Sequence, residues 1–174
     1  SKTRSLFDSI NFDLIFGMPN QTLETWDKTI QKVLTLKPDR AAVYVWGFRP
    51  DLYTHMKVLE KYEMANDIEK MEMFVHAINK FITNGYSFIG IDHFALPNDV
   101  LVEAKNNGTL DRNAIGYTPG VAKNIIALGP NSMSSIDDYY FQNYHVLNDY
   151  FGSIDNNKTP LIRGHEPNNE DVLR

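Results

Sequence analysis

Short apolar runs alternate with helical stripes along this chain, and this alternation constrains the fold more than any other feature. The apolar run Ile10–Gly17 stops at a glycine, and from Leu23 the apolar residues recur every three or four positions until Pro38. The run predicts a strand buried on both faces, and the periodic stretch predicts a helix with Thr22 as its N-cap. A strand is thus followed by a helix after one tight loop.

The same unit repeats further along the chain. Arg40–Trp46 and Tyr86–Ile91 read as strands, and between them a capping box at Asn66 and Glu69 opens a helix that ends at Gly85. The apolar stripe of that helix is Ile68, Met71, Val75, Ile78 and Ile82. Further expected elements are a short helix Asp99–Lys105, a strand Asn124–Gly129 and an aromatic-rich helix Tyr139–Phe151. The alternation predicts an α/β fold with a parallel sheet, open or barrel-like.

Composition excludes several classes of function. The net charge is −5 with no block of Lys or Arg, which argues against nucleic acid as a partner. Apolar runs are too short to cross a bilayer, so we expect a soluble cytoplasmic protein that does not bind membranes. There is no cysteine, which excludes disulfides, thiolate catalysis and iron–sulfur ligation by these residues. Since the chain starts without Met, we also expect it to be a piece of a longer protein.

Polar residues at strand ends are the first candidates for a site, because active sites of (β/α) barrels gather there. Asp13 interrupts the first apolar run and reads either as an acceptor for ligand hydroxyls or as a carboxylate bonded to loop amides. Gly47 either lets backbone approach a ligand or permits a turn. Asp92 and His93 follow the third strand and suit acid/base chemistry, substrate anchoring or a plain structural pair. The histidines show no ligand spacing, so no metal site is expected.

A stretch without periodicity, Thr109–Gly120, carries Arg112 and Tyr117 and reads as an ordered functional loop or as a surface excursion. Nucleophile-elbow, P-loop and dinucleotide-binding patterns are absent from the sequence.

Four segments carry a family resemblance. Asn11–Thr22 resembles the D-L-I-x-G-x-P-x-Q-T segment of the coproporphyrinogen oxidase branch of radical S-adenosylmethionine enzymes, a branch that includes haem chaperones. Gly85–Ala95 resembles the G-Y-x-F-I-G-M-D-H-F-A stretch of the oxidases, where the chaperones tend to carry E-I-S-N-F-A. Leu110–Thr118 resembles the oxidases' L-x-R-N-x-x-G-Y-T loop, and Gly129–Ser134 their G-x-S-A-I-S turn. The chain is thus similar to oxygen-independent coproporphyrinogen III oxidases almost from end to end.

The resemblance implies a fold, and it implies that the iron–sulfur cluster is bound by another part of the complete protein. It implies a partial parallel (β/α) barrel of radical S-adenosylmethionine type, roughly its second half, over residues 1–164. Residues 165–174 would start a truncated C-terminal helical domain. The family's [4Fe–4S] cluster sits on a C-x-x-x-C-x-x-C loop that would lie upstream, so the fragment would contribute no catalytic or metal-binding residue and be inactive alone.

Cofactor roles also follow from the resemblance. Asp13 matches an aspartate of the family that contacts S-adenosylmethionine. Gly47 matches a small residue whose backbone lies at the nucleoside, and Met133 matches an aliphatic position beside the cofactor. The family usually has alanine and isoleucine at the last two. Val45–Arg49 also departs from the usual N-Y-A-H-L pattern, so the adenine pocket is expected to differ in detail.

The implied reaction converts coproporphyrinogen III to protoporphyrinogen IX by radical oxidative decarboxylation of two propionates. Our hypothesis is that Arg112 pairs with a propionate and that Asp92, His93 and Tyr117 line the same pocket. Two other interpretations are a non-catalytic haem chaperone and a stand-alone α/β binding domain. Full-length relatives are expected to be monomeric, whereas exposed strand edges favour self-association of the fragment.

Overall fold

The computed structural model describes residues 3–113, 116–122, 124–137, 139–168 and 170–171. It divides after Leu110 into two compact units. The elements of the first unit are β1 (Asn11–Phe16), α1 (Leu23–Leu36), β2 (Arg40–Val45), a 3₁₀ helix (Thr54–Leu59), α2 (Asp67–Thr83), β3 (Ser87–Gly90), β4 (His93–Ala95) and α3 (Val100–Asn107). The predicted alternation of strands and helices, and with it the α/β class, is confirmed in this unit.

The sheet of the first unit is mixed, with the strand order β1-β2-β4-β3. β1 and β2 are parallel, but β4 runs antiparallel to both of its neighbours. The chain reverses after Gly90, where Ile91 has a φ of +48° and the returning residues Asp92 and His93 bring β4 alongside β2. The prediction of a parallel sheet is therefore right for the first pair of strands and wrong for the next.

Helix α1 covers one face of this sheet as its sequence period predicts. Thr22 accepts a hydrogen bond from the backbone N–H of Thr25, and the Thr25 hydroxyl accepts one from the N–H of Thr22, which completes a capping box. Trp26 is fully buried, and its indole N–H donates to the backbone carbonyl of Met73 on α2 at 3.0 Å. Burying the ring with its polar group satisfied stabilises the contact between the two helices.

Helix α2 begins at the predicted capping box of Asn66 and Glu69, but its buried face differs from the predicted stripe. Met73, Ala77 and Phe81 are the buried residues of this helix. Four members of the stripe are exposed: Ile68, Met71, Val75 and Ile82. Apolar residues lie on more than one side of α2, so spacing alone does not identify the core side.

Two clusters of charged side chains, around Asp27 and Asp39, stabilise the surface of this unit. Hydrogen bonds from Lys80 and His76 hold the pKa of Asp27 below its usual value, and burial opposes them only in part. At Asp39, burial by itself raises the pKa, but the backbone N–H of Ile10 and the Arg4 guanidinium outweigh it and lower the pKa overall. Both carboxylates therefore stabilise the fold in their charged form.

The second unit is built on antiparallel strands. Its elements are β5 (Asp111–Arg112), β6 (Tyr117–Thr118), β7 (Met133–Ile136), β8 (Tyr139–Asn143), α4 (Leu147–Asp155) and β9 (Leu161–His165). β5 pairs with β6, and β8 lies between β7 and β9.

Two predictions fail in the second unit. The strand expected at Asn124–Gly129 is reduced to a single bridge between Ile125 and Ser135. The helix expected over Tyr139–Phe151 begins as strand β8 and becomes helical only from Leu147, in α4. Aromatic residues suit a pleated sheet, and pairing with both neighbouring strands outweighs their helix-like spacing.

At the end of the described chain, the side chain of Asn168 accepts hydrogen bonds from the backbone N–H groups of Glu170 and Asp171. Asp171 in turn accepts one from the backbone N–H of Asn168, as at the start of a helix. Residues 172–174, where that predicted helix would continue, lie outside the described residues. Among the residues that the structure describes, none of the helices is both long and apolar enough to cross a membrane.

Candidate functional site

The loop between β1 and α1, which carries the first family-like segment, is held by its own side chains. Gly17 has a φ of +78°, and its backbone N–H donates to the side-chain carbonyl of Gln21 at 2.6 Å. The N–H of Met18 donates to the same oxygen at 3.3 Å. Asn20 exchanges hydrogen bonds with Glu63, and Thr22 caps α1. The conformation of this loop accounts for its glycine, glutamine and threonine without a ligand.

Asp13 lies on the sheet face opposite α1 and α2, which we call the open face. Its neighbours along β1, Phe12 and Leu14, pack on the core, so side-chain alternation turns Asp13 the other way. Asp13 is exposed, and its Oδ1 accepts a hydrogen bond from the Asn11 side chain at 2.7 Å. The expectation of a strand buried on both faces is therefore wrong within the described unit, and the carboxylate bears no burial penalty there.

Asp13 shares a row of the open face with His93. The register pairs Asp13 with Ala42 on β2, and Ala42 with His93 on β4. Two strand spacings put the backbones of the outer residues roughly 9.6 Å apart. The Tyr44 ring, one step along the same face, meets the His93 ring edge-on with centroids 6.1 Å apart. Two of the predicted site residues thus lie on one surface.

Asp92 and His93 form the pair that the sequence suggested. Asp92 Oδ1 lies 2.5 Å from His93 Nδ1, and both side chains are about four-fifths buried. The backbone carbonyl of Asp92 accepts from the N–H of Val43, which ties the turn to β2. Ile91, directly before the pair, has the left-handed φ that β-branched residues avoid. Backbone strain beside a polar pair is a recurring property of functional sites.

Gly47 lies just beyond the end of β2. Its φ is outside the left-handed region, and a Cβ added there would meet no atom within 4 Å. The turn therefore does not require glycine, and there is open space beside this backbone. The rings of Trp46 and Phe48, on either side of it, stack with centroids 5.3 Å apart.

The second unit contains a cleft of about 610 Å³, a volume in the range of small-molecule sites. Two predicted site residues, Arg112 and Met133, line this cleft. Tyr117 supports one of them, because the guanidinium carbon of Arg112 lies 5.8 Å from the centre of its ring. The structure thus brings Arg112, Tyr117 and Met133 together in the second unit.

The floor of this cleft is one face of the β7-β8-β9 sheet. The strand register aligns Met133, Gln142 and Arg163 in one row, and Ser135, Tyr140 and His165 in the next. All six residues line the cleft. Gln142, Arg163 and His165 were not among the predicted site residues. Tyr140 and Gln142 are alternate residues of one strand, and Arg163 and His165 are alternate residues of the next. Reading Tyr139–Asn143 as a strand would therefore have indicated these cleft residues.

Groups of three or more potential metal ligands do not occur within the described ranges of the chain. The sequence also contains no cysteine that could supply a thiolate to a cluster.

Comparison with known proteins identifies the relationship. None of the protein-family models searched matches the chain. Oxygen-independent coproporphyrinogen III oxidase from Pseudomonas aeruginosa is 36% identical over 168 residues, which cover 97% of this chain and 36% of that protein. The protein of the same name from Escherichia coli K12 is 33% identical over 97% of this chain and 37% of its own length.

A solved structure agrees with these sequence relatives. It is described as coproporphyrinogen III oxidase from Escherichia coli, a radical SAM enzyme, and superimposes with a TM-score of 0.89 at 32% identity over 98% of this chain and 39% of that one. The chain spans little more than a third of the length of these relatives. Over that length, the chain is homologous to the oxygen-independent coproporphyrinogen III oxidases.

Proposed function

We propose that this chain is part of an oxygen-independent coproporphyrinogen III oxidase and contributes walls of its cofactor and substrate sites. The observation that carries the proposal is the end-to-end similarity, in sequence and in backbone, to a stretch of enzymes bearing that name. The Asp92-His93-Phe94 segment, which separates the oxidases from the chaperones by resemblance, supports the same choice. The complete protein would work in the cytoplasm on coproporphyrinogen III.

The barrel and the domain boundary belong to this proposal. The first unit supplies a parallel β1-α1-β2 repeat, the building block of a (β/α) barrel. In the complete protein, residues 1–164 would form roughly the second half of the barrel, and residues 165–174 would lead into a helical domain. The Asn168 cap supports the start of such a helix.

The residues assigned to S-adenosylmethionine are compatible with that cofactor. Asp13 is exposed with one carboxylate oxygen engaged by Asn11, which leaves acceptor capacity for ribose hydroxyls. Gly47 has open space at its backbone, and Met133 provides an apolar contact in the cleft. When bound, the cofactor would supply the radical chemistry, whereas the [4Fe–4S] cluster finds no thiolate in this chain.

The chain's own residues would hold and orient the substrate. Arg112 offers a guanidinium to a propionate carboxylate, and its stacking on Tyr117 restricts its motion. His93 lies on the open face, and its hydrogen bond to Asp92 would fix the orientation of the imidazole that contacts the substrate.

The upstream sequence and one anaerobic assay test this proposal. A C-x-x-x-C-x-x-C segment encoded before residue 1 is expected, and its absence would refute the assignment to radical chemistry. With the complete protein, vinyl formation from coproporphyrinogen III is expected, while haem binding without turnover would identify a chaperone instead. The 174-residue chain alone should form no iron–sulfur cluster, so an iron–sulfur absorbance band in the purified chain would contradict us.

Variants of the complete protein test the substrate residues. Arg112→Ala and His93→Ala should each slow vinyl formation, and normal turnover by both would disprove these roles. Lys158→Ala removes a charge from the turn after α4, outside the cleft lining, and serves as the control.

A further inference from the structure

A second arginine, Arg163, lines the same cleft of the second unit as Arg112. It lies on β9 in one row with Gln142 on β8 and Met133 on β7. All three side chains line the cleft, so the row crosses its floor. Arg163 and Met133 are two strand spacings apart, roughly 9.6 Å between backbones.

Hydrogen bonds hold the Arg163 side chain in place. Its Nε donates to the side-chain carbonyl of Gln142 at 2.6 Å, and the amide nitrogen of Gln142 donates to Asn131 Oδ1 at 2.8 Å. In Gln142 the amide oxygen accepts and the amide nitrogen donates, so one orientation of the amide satisfies both hydrogen bonds between Asn131 and Arg163. Fixing Nε restricts the guanidinium fork before any ligand arrives, which reduces the ordering cost of binding.

Arg163 has no acidic partner within 4 Å among the residues that the structure describes, although Asp111 and Asp137 also line the cleft. By contrast, Arg4, Arg40 and Arg49 each pair with an aspartate. With Nε engaged by a neutral amide, the terminal Nη groups retain donors matched to the two oxygens of a carboxylate.

We propose that Arg163 binds a carboxylate in this cleft, namely a propionate of a tetracarboxylate porphyrin-type substrate, and that Gln142 is its positioning residue. The ligand class rests on the proposed function. Arg112, on the same cleft, would serve a second carboxylate, so the two arginines would recognise two acidic arms of one macrocycle. Because S-adenosylmethionine also carries a carboxylate, the test separates the two ligands.

The test is a fluorescence titration of coproporphyrin III, the stable oxidised form of the substrate class, with the complete protein. Arg163→Met should weaken binding roughly 10- to 100-fold, the range for losing a charge-assisted hydrogen-bonded pair. Two milder variants should weaken binding less than Arg163→Met does. Arg163→Lys keeps the charge but lacks the forked guanidinium, and Gln142→Met leaves the guanidinium without its positioning hydrogen bond. Lys158→Met removes an equal charge from the second unit outside the cleft lining and should bind as the wild type does.

Two further ligands make the assignment specific. The tetrapropionamide analogue lacks carboxylates, so Arg163→Met should bind it as well as the wild type. S-adenosylmethionine binding should also be unchanged. Three results for Arg163→Met would each overturn the proposal: weaker binding of S-adenosylmethionine alone, equally weakened binding of the tetrapropionamide, or unchanged binding of coproporphyrin III. Failure of the wild type to bind coproporphyrin III would also overturn it.

Failure of the proposed function would be visible separately. Vinyl formation requires the radical chemistry, whereas porphyrin binding does not. Tight binding that depends on Arg163 without any vinyl formation would refute the enzyme and leave this site in place. Because Arg163 is exposed, the Arg163 variants should retain the wild-type urea midpoint, which checks that any loss of binding is local.

Discussion

Replacing Gln21 by alanine tests whether the family-like loop after β1 is a structural element. The side chain accepts a hydrogen bond at 2.6 Å from the backbone N–H of Gly17, which is buried, and a longer one at 3.3 Å from that of Met18. Leaving a buried donor unpaired costs about 1–3 kcal/mol, while the long, exposed bond adds little. We therefore expect Gln21→Ala to lower the free energy of unfolding by about 2 kcal/mol.

The assay is equilibrium urea unfolding of the 174-residue chain, followed by tryptophan fluorescence. Gln21→Glu keeps an acceptor oxygen and places a negative charge near the start of α1, where the helix dipole favours it, so it should stay within about 0.5 kcal/mol of the wild type. Lys32→Ala, at an exposed position in α1, is the control and should also stay within about 0.5 kcal/mol. The reasoning is refuted if Gln21→Ala unfolds like Lys32→Ala, or if Gln21→Glu is as unstable as Gln21→Ala.

Two further predictions concern backbone strain and acid stability. Ile91 is exposed with a φ of +48°, so Ile91→Asn should raise the unfolding free energy by about 1 kcal/mol, because asparagine tolerates the left-handed region; a lower urea midpoint would contradict this. Hydrogen bonds from Lys80 and His76 lower the pKa of Asp27, so its stabilisation is present above the unfolded-state pKa and lost as the pH falls through the folded-state value. Asp27→Asn should therefore destabilise the chain at a pH of about 6, and less at a pH of about 3. Equal destabilisation at both pH values in urea titrations would disprove the link between the Asp27 carboxylate and acid stability.

The helices of the first unit could be predicted because their signals are local. Thr22 and Asn66 cap α1 and α2 where the sequence places them, and Trp26, Ile30 and Val33 are buried as their spacing indicates. Strand pairing was less predictable, since it depends on contacts distant in sequence. Nothing in the run Tyr86–Ile91 indicates that the chain turns back at Ile91 and inserts β4 next to β2.

The candidate site was predictable only in part, for the same reason. Resemblance selected Met133 and position in a loop selected Arg112, and the structure brings both to one cleft. Arg163 was missed because its partner Gln142 lies in a segment whose tyrosines imitate a helical period, although the segment forms β8. Asp13 was expected to be a buried carboxylate, but only the alternate residues of β1 face the core.

The reversal at Ile91 also makes the spacing between Gly90 and His93 intolerant of insertions and deletions. Adjacent residues of β4 point to opposite faces, with Phe94 stacked on Phe81 in the core and His93 on the open face. Adding or removing one residue in the turn while the strands stay paired would move each side chain to the other face, turning the imidazole toward the core side and the benzyl ring toward the open face. The chemistry of the open face therefore depends on the length of a turn as well as on the side chains it carries.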